Sequence, residues 1–446
     1  MPLPDLIEIV PLAAPVRAEI TVPGSKSITN RALILAALAD GEVTLKGALW
    51  SEDTEIMFDC LQKLGFEVSK QNDPNEPCNR TITVKGLGGK IPNAGTAEKP
   101  LELFVGNAGT AARFLSAFVC LGHGVYRLSG VPRMHERPQA ALFSALRKLG
   151  YRVELENDND KLPVKIFGGG PKPNAECTLS IEKSSQFASA LKLCERTGEW
   201  NVKVEGENAE ESPYVALTSK LIEAFPKSGE FQIRSDASSG SYFWGASCLL
   251  GKESEVTVFD WSIDPSQWQQ DNKFSIIVGP GYNAQRQQTI FQMQPTISRL
   301  HDLADSIMTA IVLAPLYHSR AKAVHFTDLG RLRVQECERV VALRTELTKC
   351  GAKVIEEGDT LTVWPSTLHG AEIETYNDHR MAMCFAILGL KVPGIKIKNP
   401  ACVKKTFPNF FQKLAAAPPH GLGAEIWEIR NGQRTRKLSG DDLFAV

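Results

Sequence analysis

Leu61-Gln-Lys-Leu-Gly65-Phe-Glu-Val68 is the stretch that decides the fold, because it recurs twice along the chain. The other copies are Leu146-Arg-Lys-Leu-Gly150-Tyr-Arg-Val153 and Leu347-Thr-Lys-Cys-Gly351-Ala-Lys-Val354. Each is typical of an amphipathic helix that ends at glycine, where a positive φ angle costs little, and continues into a strand. A polar turn and an alternating strand follow each copy. Helix–glycine–strand junctions are common, but three near-copies favour domains built from repeated helix-plus-β-pair modules.

The size and charge of the chain restrict its class. A chain of 446 residues suggests two domains of roughly 200 residues each. The 50 Lys and Arg residues nearly balance the 51 Asp and Glu residues, for a formal net charge of −1. No overall field therefore attracts nucleic acid or an acidic membrane surface, and an anion site must come from local clusters of basic residues.

The N-terminus and the cysteines indicate a cytoplasmic protein. The start, Met1-Pro-Leu-Pro-Asp5, lacks a basic segment followed by an apolar run, and no stretch approaches 18 uncharged apolar residues. The ten cysteines are scattered, and none form a Cys-x-x-Cys pair. This spread predicts buried free thiols in a reducing compartment, with no disulfide and no structural metal.

The first motif with chemical meaning runs from Val22 to Arg31 and precedes an apolar helix. It reads as a strand end, a tight turn and a helix start that carries Lys26, Ser27 and Arg31. Free N–H groups and the helix dipole favour an anion at such a position. A Walker A loop is disfavoured, because Ser25 directly precedes the lysine, where that loop needs glycine.

Six further blocks carry basic or hydroxyl side chains near predicted helix starts. Each block alone is compatible with an ordinary charged surface, and their joint order is what favours a shared site. They are Gly106–Arg113, Pro132–Pro138, Lys183–Phe187, Arg331–Arg339, Tyr376–Met383 and Cys402–Pro408.

Together these blocks resemble the 5-enolpyruvylshikimate-3-phosphate synthase family from about residue 8 to about residue 415. The resemblance is carried by P-G-S-K-S-x-x-N-R, G-N-A-G-T-A-x-R, P-R-M-x-E-R-P, S-S-Q-F, D-A-S-S-x-S-Y-F, R-V-x-E-x-x-R, Y-N-D-H-R-M-A-M and K-T-F-P. Segment 252–300 matches poorly, apart from Gln269-Gln-Asp271. The resemblance implies an α/β fold of two inverse α/β barrel-like domains, each of three αβ repeats, that close over the substrates.

The domain boundaries implied by the resemblance are discontinuous. Residues 1–24 and 237–417 are expected to form a lower domain, and residues 25–236 an upper domain. The tail 418–446 changes in composition, and we expect it to be an appendage outside the main fold.

The reaction implied is transfer of the enolpyruvyl group of phosphoenolpyruvate to the 5-hydroxyl of shikimate 3-phosphate, with release of phosphate, in aromatic amino-acid biosynthesis. Lys26 would contact both substrates and act as acid, Asp305 would be the base, and Glu336 would manage the methylene proton. No cofactor or metal is implied, and we expect a monomer whose partners are these two small substrates.

The substrate-binding residues implied fall into two groups. Shikimate 3-phosphate would be held by Ser27, Arg31, Ser184, Ser185, Ser212 and Tyr214. Phosphoenolpyruvate would be surrounded by Gly109, Arg137, Gln186, Arg339, His379, Arg380 and Lys405. Asn107, Arg331 and Gln335 complete the predicted substrate-binding set.

The chain departs from the family pattern at three positions. Gln335 stands where the family usually has lysine, and Arg331 where it usually has asparagine; we expect Arg331 to restore the charge lost at Gln335. Phe114 replaces a proline of many relatives, which bears on the shape of the helix start at Gly109. Because Gly109 itself is retained, and alanine there is the family's usual steric defence, we expect sensitivity to glyphosate.

Three alternatives remain open. The sister enzyme UDP-N-acetylglucosamine enolpyruvyl transferase normally uses a loop cysteine, and no comparable cysteine precedes an arginine cluster here. A paralogue acting on another phosphorylated cyclitol is compatible with Arg331 and Gln335. A non-catalytic anion-binding protein is disfavoured by Lys26, Asp305 and Glu336, because binding alone needs no paired carboxylates.

Overall fold

The computed structural model describes residues 3–157, 159–180, 185–206, 213–251, 253–262, 268–283, 288–317 and 322–445. The chain divides into two compact units. Gly24–Arg234 forms one, which we call the inserted unit, and Met1–Pro23 with Ser235–Val446 forms the other, the discontinuous unit. No helix in the described ranges is long and apolar enough to span a bilayer.

Helices and strands alternate in both units. The chain opens with β1 (Leu6–Ile9) and β2 (Arg17–Ile20), which belong to the discontinuous unit. The inserted unit contains α1 (Lys26–Leu38), β3 (Glu42–Leu49), α2 (Glu52–Lys63), β4 (Val68–Asn72), β5 (Asn79–Lys85), β6 (Leu101–Phe104), α3 (Gly109–Phe118), β7 (His123–Ser129), α4 (Pro132–Glu136), α5 (Ala140–Lys148), β8 (Arg152–Leu155), β9 (Val164–Gly169), β10 (Glu176–Ser180), α6 (Ser185–Gly198), β11 (Asn201–Glu205), α7 (Pro213–Ala224) and β12 (Gly229–Gln232).

The discontinuous unit then resumes. Its elements are α8 (Ala237–Leu250), β13 (Glu255–Val258), α9 (Phe274–Ile277), β14 (Val278–Asn283), β15 (Gln288–Met293), β16 (Thr296–Ser298), α10 (Ile307–Leu313), β17 (Val324–Thr327), α11 (Arg339–Lys349), β18 (Val354–Glu357), β19 (Thr360–Val363), β20 (Glu372–Ile373), α12 (His379–Gly389), β21 (Ile395–Lys398), α13 (Phe410–Ala415), β22 (Ile426–Arg430) and β23 (Gln433–Leu438).

The predicted repeat is confirmed by three four-stranded sheets that share one pattern of parallel and antiparallel neighbours. Their strand orders are β12-β3-β5-β4, β6-β7-β9-β8 and β16-β17-β19-β18. In each, the first two strands are parallel and the other neighbours are antiparallel. The glycines that end the three helices have φ angles of 92° at Gly65, 88° at Gly150 and 91° at Gly351. A side chain with a Cβ would be strained there, so the glycine lets each helix stop and reverse into its hairpin.

Parallel strands joined through a buried helix place several of the quoted sequence blocks at helix starts. The connections β6–α3–β7, β10–α6–β11, β16–α10–β17 and β20–α12–β21 each link a parallel pair. In the inserted unit α1, α3 and α6 pack against one another, as do α8, α10 and α12 in the discontinuous unit. Every residue of α3 and α10 is buried, so the positively polarised helix starts are held rigidly by the core.

The C-terminal tail belongs to the main fold, so the expected appendage is wrong. The five-stranded sheet has the order β20-β21-β1-β22-β23, and β1 pairs with both β21 and β22. Leu438, Leu443 and Ala445 are buried in the core of the discontinuous unit. Without β22, one edge of β1 would expose unpaired backbone groups beside the fully buried Ile7 and Ile9.

All ten cysteines are buried free thiols, as the sequence predicted. Burial raises the pKa of the Cys60 thiol to about 12 and that of Cys402 also to about 12. These side chains therefore act as small apolar groups of the core.

Candidate active site

The inserted unit gathers predicted substrate residues around Arg31, which begins the second turn of α1. The guanidinium is 1% exposed and donates hydrogen bonds to Thr218 Oγ1 at 2.7 Å on α7 and to Ser189 Oγ at 3.0 Å on α6. Its Cζ lies 5.1 Å from the centroid of the Phe114 ring on α3 and 6.0 Å from that of Tyr214. One side chain thus joins four helices, and Phe114 leaves α3 regular while it supplies a cation–π contact.

Arg31 is a buried cation that has no carboxylate partner among the described residues. Burial lowers its pKa from the ordinary value of 12.5 to about 10, with a partial offset from Tyr214. Its neighbours are hydroxyl and carbonyl groups, including the Ser27 carbonyl oxygen at 2.8 Å. A buried positive charge with only neutral neighbours is best satisfied by an incoming anion.

A second group surrounds Gly109, the first residue of α3. A Cβ at this position would lie 2.4 Å from Arg113 Nη1 and 2.7 Å from Arg137 Nη2, so both guanidinium groups approach the helix start closely. Arg137 Nη1 donates to the Asn107 carbonyl oxygen at 3.2 Å, and Arg113 Nη1 donates to Gln186 Oε1 at 2.8 Å. These contacts bring together Gly109, Arg137 and Gln186, which were expected to bind phosphoenolpyruvate, and Asn107, which was expected to bind substrate.

Lys26 is fixed at the first residue of α1 by an ion pair with α2. Its Nζ lies 3.0 Å from Oδ2 of Asp53, whose residue exposure is 2%. Ser185 begins α6 and is buried at 4% exposure. The predicted residues Ser184 and Ser212 lie outside the described residues.

The discontinuous unit carries a second cluster, centred on Asp305 between β16 and α10. Oδ1 of Asp305 accepts a hydrogen bond from Arg299 Nη2 at 2.9 Å, and Oδ2 lies 3.2 Å from Arg380 Nη2. Burial raises the pKa of Asp305, but the positive charges of Arg380, Arg299 and Arg339 outweigh burial, so the pKa falls below its ordinary value. Asp305 is therefore an ionised carboxylate whose charge is balanced on both oxygens.

Glu336 occupies a similar position between two cations. Its Oε2 lies 2.7 Å from Arg339 Nη2, and its Oε1 lies 3.1 Å from Lys405 Nζ. Arg339 begins α11 and is also held by Asp378, which accepts from Arg339 Nε at 2.6 Å. Asp378 caps α12 by accepting from the Arg380 N–H at 2.9 Å. The four cations Arg299, Arg339, Arg380 and Lys405 thus share the three carboxylates Asp305, Glu336 and Asp378.

The remaining predicted residues lie beside this cluster. His379 is 1% exposed at the start of α12, after Tyr376 and Asn377, whose φ angles are 53° and 54°. Two successive left-handed residues that are not glycine indicate backbone strain held by the surrounding structure. Arg331 lies in the short 3-10 helix Gly330–Val334. Gln335 follows it and accepts a hydrogen bond from Arg339 Nη1, so its side chain is engaged by an arginine predicted to bind phosphoenolpyruvate.

Four residues of these clusters were not assigned from the sequence. Arg113 and Asp378 lie within the quoted motifs, and their position inside those blocks is the sequence feature that could have identified them. Asp53 lies 27 residues beyond Lys26 on another helix, and its contact follows only from the fold. Arg299 lies in the segment 252–300, where the resemblance is weak. Among the described residues, no group of three or more His, Cys, Asp or Glu side chains is placed to hold a metal ion.

Solved structures define the fold. An EPSP synthase from Acinetobacter baumannii superposes with a TM-score of 0.71 at 21% identity, over 95% of this chain and 100% of that chain. The enolpyruvyl transferase NikO from Streptomyces tendae superposes with a TM-score of 0.66 at 15% identity, over 96% of this chain and 99% of that one. The chain has the enolpyruvyl transferase fold of two repeated α/β units, as the sequence predicted.

The sequence comparisons define the family. The family model described as EPSP synthase (3-phosphoshikimate 1-carboxyvinyltransferase) matches residues 11–228 and 226–414. A 3-phosphoshikimate 1-carboxyvinyltransferase of Trichormus variabilis is 36% identical over 448 aligned positions, covering 92% of this chain and 98% of that protein. This chain belongs to the EPSP synthase family, whose members are alkyl-group transferases of the shikimate pathway and targets of glyphosate.

Proposed function

We propose that this chain transfers the enolpyruvyl group of phosphoenolpyruvate to the 5-hydroxyl of shikimate 3-phosphate and releases phosphate. The observation that carries the proposal is the placement of two carboxyl groups, Asp305 and Glu336, among the arginines and the lysine of the second cluster. Family membership supplies the identity of the two substrates.

Shikimate 3-phosphate is assigned to the first cluster. Arg31 offers a buried positive charge with no carboxylate partner in the part of the chain that the structure describes, and the hydroxyl-bearing residues Ser27, Ser185 and Tyr214 lie on the helices beside it. A phosphate dianion that approaches the starts of α1 and α6 meets free N–H groups as well as the guanidinium. The proposed assignments of Ser184 and Ser212 rest on the sequence alone.

Phosphoenolpyruvate is assigned to the remaining arginines and their neighbours. Arg137 and Gln186 lie around the Gly109 helix start, and Arg339, Arg380 and Lys405 surround the carboxylates of the second cluster. The planar guanidinium suits bidentate recognition of both the carboxylate and the phosphate of this substrate. His379 at the start of α12 completes the proposed set, and Arg331 and Gln335 lie on the approach to α11.

The proposed chemistry is an addition followed by an elimination. In the addition, the 5-hydroxyl proton passes to Asp305, its oxygen bonds to C2 of phosphoenolpyruvate, and C3 takes a proton from Glu336 in its carboxylic acid form. In the elimination, the Glu336 carboxylate takes a proton back from C3, the double bond re-forms, and phosphate leaves with a proton from Lys26. Asp305 then releases the hydroxyl proton, which makes up the proton that Lys26 has lost. Each positioned proton transfer contributes roughly 100- to 10,000-fold to the rate.

The ten buried thiols support a reducing compartment for this reaction, and we assign the protein to the cytoplasm. This assignment is separate from the reaction and can be checked by fractionation of the source cells.

The test is phosphate release from phosphoenolpyruvate, with and without shikimate 3-phosphate. Wild type should release phosphate only when both substrates are present, and Asp305→Asn should lower kcat by at least roughly 100-fold with little change in binding. Asp442→Asn is the matched control, since Asp442 pairs with Arg436 in the C-terminal segment of the same unit. Release without shikimate 3-phosphate, or an Asp305→Asn variant as active as Asp442→Asn, contradicts the proposal.

A further inference from the structure

Each oxygen of Asp305 is contacted by a different arginine. Arg299 Nη2 lies 2.9 Å from Oδ1, and Arg380 Nη2 lies 3.2 Å from Oδ2. Arg299 is 6% exposed and Asp305 is 9% exposed, so water screens neither contact well. Asp305, the proposed base, therefore has both carboxylate oxygens in ion pairs, although one of them must accept a proton during the reaction.

The two arginines differ in what else they contact. Arg380 is the residue assigned to phosphoenolpyruvate, and its Nη1 is 3.4 Å from the Tyr242 hydroxyl. Arg299 lies just after β16, where its N–H donates to the Thr327 carbonyl at 3.1 Å and its carbonyl accepts from Gln270 Nε2 at 3.4 Å. Both arginines are anchored through their backbone, but only Arg380 is assigned to a substrate.

The backbone on both sides of Asp305 is also fixed. Oδ1 of the buried Asp271 accepts hydrogen bonds from the Ala304 N–H at 2.8 Å and the Ser306 N–H at 3.2 Å. Asp271 Oδ2 accepts from the Ser238 hydroxyl at 2.5 Å, which ties the loop to the start of α8. With the main chain held in this way, the orientation of the Asp305 carboxylate depends on its side-chain contacts.

We propose that Arg299 is a positioning residue that holds Oδ1 of Asp305, so that Oδ2 takes the proton of the substrate hydroxyl when phosphoenolpyruvate engages Arg380. This inference rests on the proposed function. In the step, the substrate O–H bond breaks, an O–H bond forms at Oδ2, and the electron pair left on the hydroxyl oxygen forms the bond to C2 of phosphoenolpyruvate. Arg299 keeps the carboxylate ionised and oriented after Arg380 has turned to the substrate.

The charges around Asp305 fix the sign of the expected pH effect. Arg299, Arg380 and Arg339 face it as cations, and Asp271 faces it as a carboxylate. Burial raises the pKa of Asp305 and the three cations lower it below its ordinary value. Loss of one cation therefore raises this pKa, and the fraction of active, ionised base falls as the pH decreases.

The decisive experiment is the pH profile of kcat for Arg299→Gln, Arg299→Lys and wild type. Arg299→Gln should lower kcat by about tenfold and move the acidic limb by about one pH unit to higher pH, while both KM values change less than about threefold. Arg299→Lys should return the limb to its wild-type position, because the cation is restored. Arg434→Gln, which removes an arginine paired with Glu8 in the same unit, should leave the limb unmoved. An acidic limb that is the same in Arg299→Gln and wild type overturns the proposal.

A second measurement does not depend on turnover. Carbon-13 labelling of aspartate, with Asp305→Asn to assign the signal, reports the carboxyl pKa of Asp305 in the substrate-free protein by NMR. The pKa should be higher in Arg299→Gln than in wild type and Arg299→Lys, and an unchanged value overturns the positioning role. If wild type releases no phosphate, the proposed function fails while this titration still decides the Arg299–Asp305 contact.

Discussion

Replacement of Arg31 by methionine should remove substrate affinity at little cost in stability. Burial lowers the pKa of Arg31 from 12.5 to about 10, and since one pH unit corresponds to about 1.36 kcal/mol, the charged form costs the empty protein roughly 3 kcal/mol. Arg31→Met removes this cost but also removes the hydrogen bonds from Arg31 to Thr218, Ser189 and the Ser27 carbonyl, at roughly 1 kcal/mol each. The two effects nearly cancel, so the free energy of unfolding should change by less than about 2 kcal/mol.

Binding should respond very differently. A charge-assisted hydrogen bond contributes roughly 1.5–3 kcal/mol, so Arg31→Met should weaken shikimate 3-phosphate binding by about 10- to 150-fold. Calorimetry gives the affinity and urea denaturation gives the stability. Arg127→Met is the matched control in the same unit, because Arg127 is paired with Glu102 and Glu156 and should affect stability without affecting affinity. The reasoning is refuted if the Arg31→Met protein binds shikimate 3-phosphate as tightly as wild type, or if its free energy of unfolding falls by more than about 4 kcal/mol.

Three further outcomes are expected. Gly109→Ala places a Cβ close to the guanidinium groups of Arg113 and Arg137. The substitution should therefore raise the KM for phosphoenolpyruvate by about tenfold or more, and the glyphosate inhibition constant by a larger factor. Equal inhibition of wild type and Gly109→Ala by glyphosate contradicts this. Arg331→Ala should raise the KM for shikimate 3-phosphate strongly in steady-state assays, and an unchanged KM excludes a role for Arg331 in restoring charge. The ten thiols should react with a thiol reagent only after unfolding, as followed by absorbance, and rapid labelling of the native protein contradicts their burial.

Local patterns predicted the repeated modules well. The three Leu-x-Lys-x-Gly stretches specify a helix, its stop and the next strand within about eight residues, and all three glycines adopt the positive φ angles expected. The predicted anion-binding blocks likewise fall at the starts of α1, α3, α6 and α12, because a short run of sequence sets both the helix start and its basic side chains.

Features that depend on distant partners were not predictable. The role of β22 depends on β1, whose Ile7 is paired with Glu428 at the other end of the chain. The role of Arg299 follows only from its contact with Asp305, and that of Asp53 only from its contact with Lys26. No periodicity or spacing reports such pairings, since each is set by how separate modules pack.

The order of the strands in the five-stranded sheet has a consequence for synthesis on the ribosome. Strand β1 is made before both of its partners, of which β21 emerges about 390 residues later and β22 about 420 residues later. At roughly 5–20 residues per second, the first strand waits about 20–80 seconds, while the inserted unit is complete once Arg234 has emerged. The apolar side chains of β1 are exposed during this interval, so nascent chains halted before residue 395 should depend on chaperones far more than the released protein does.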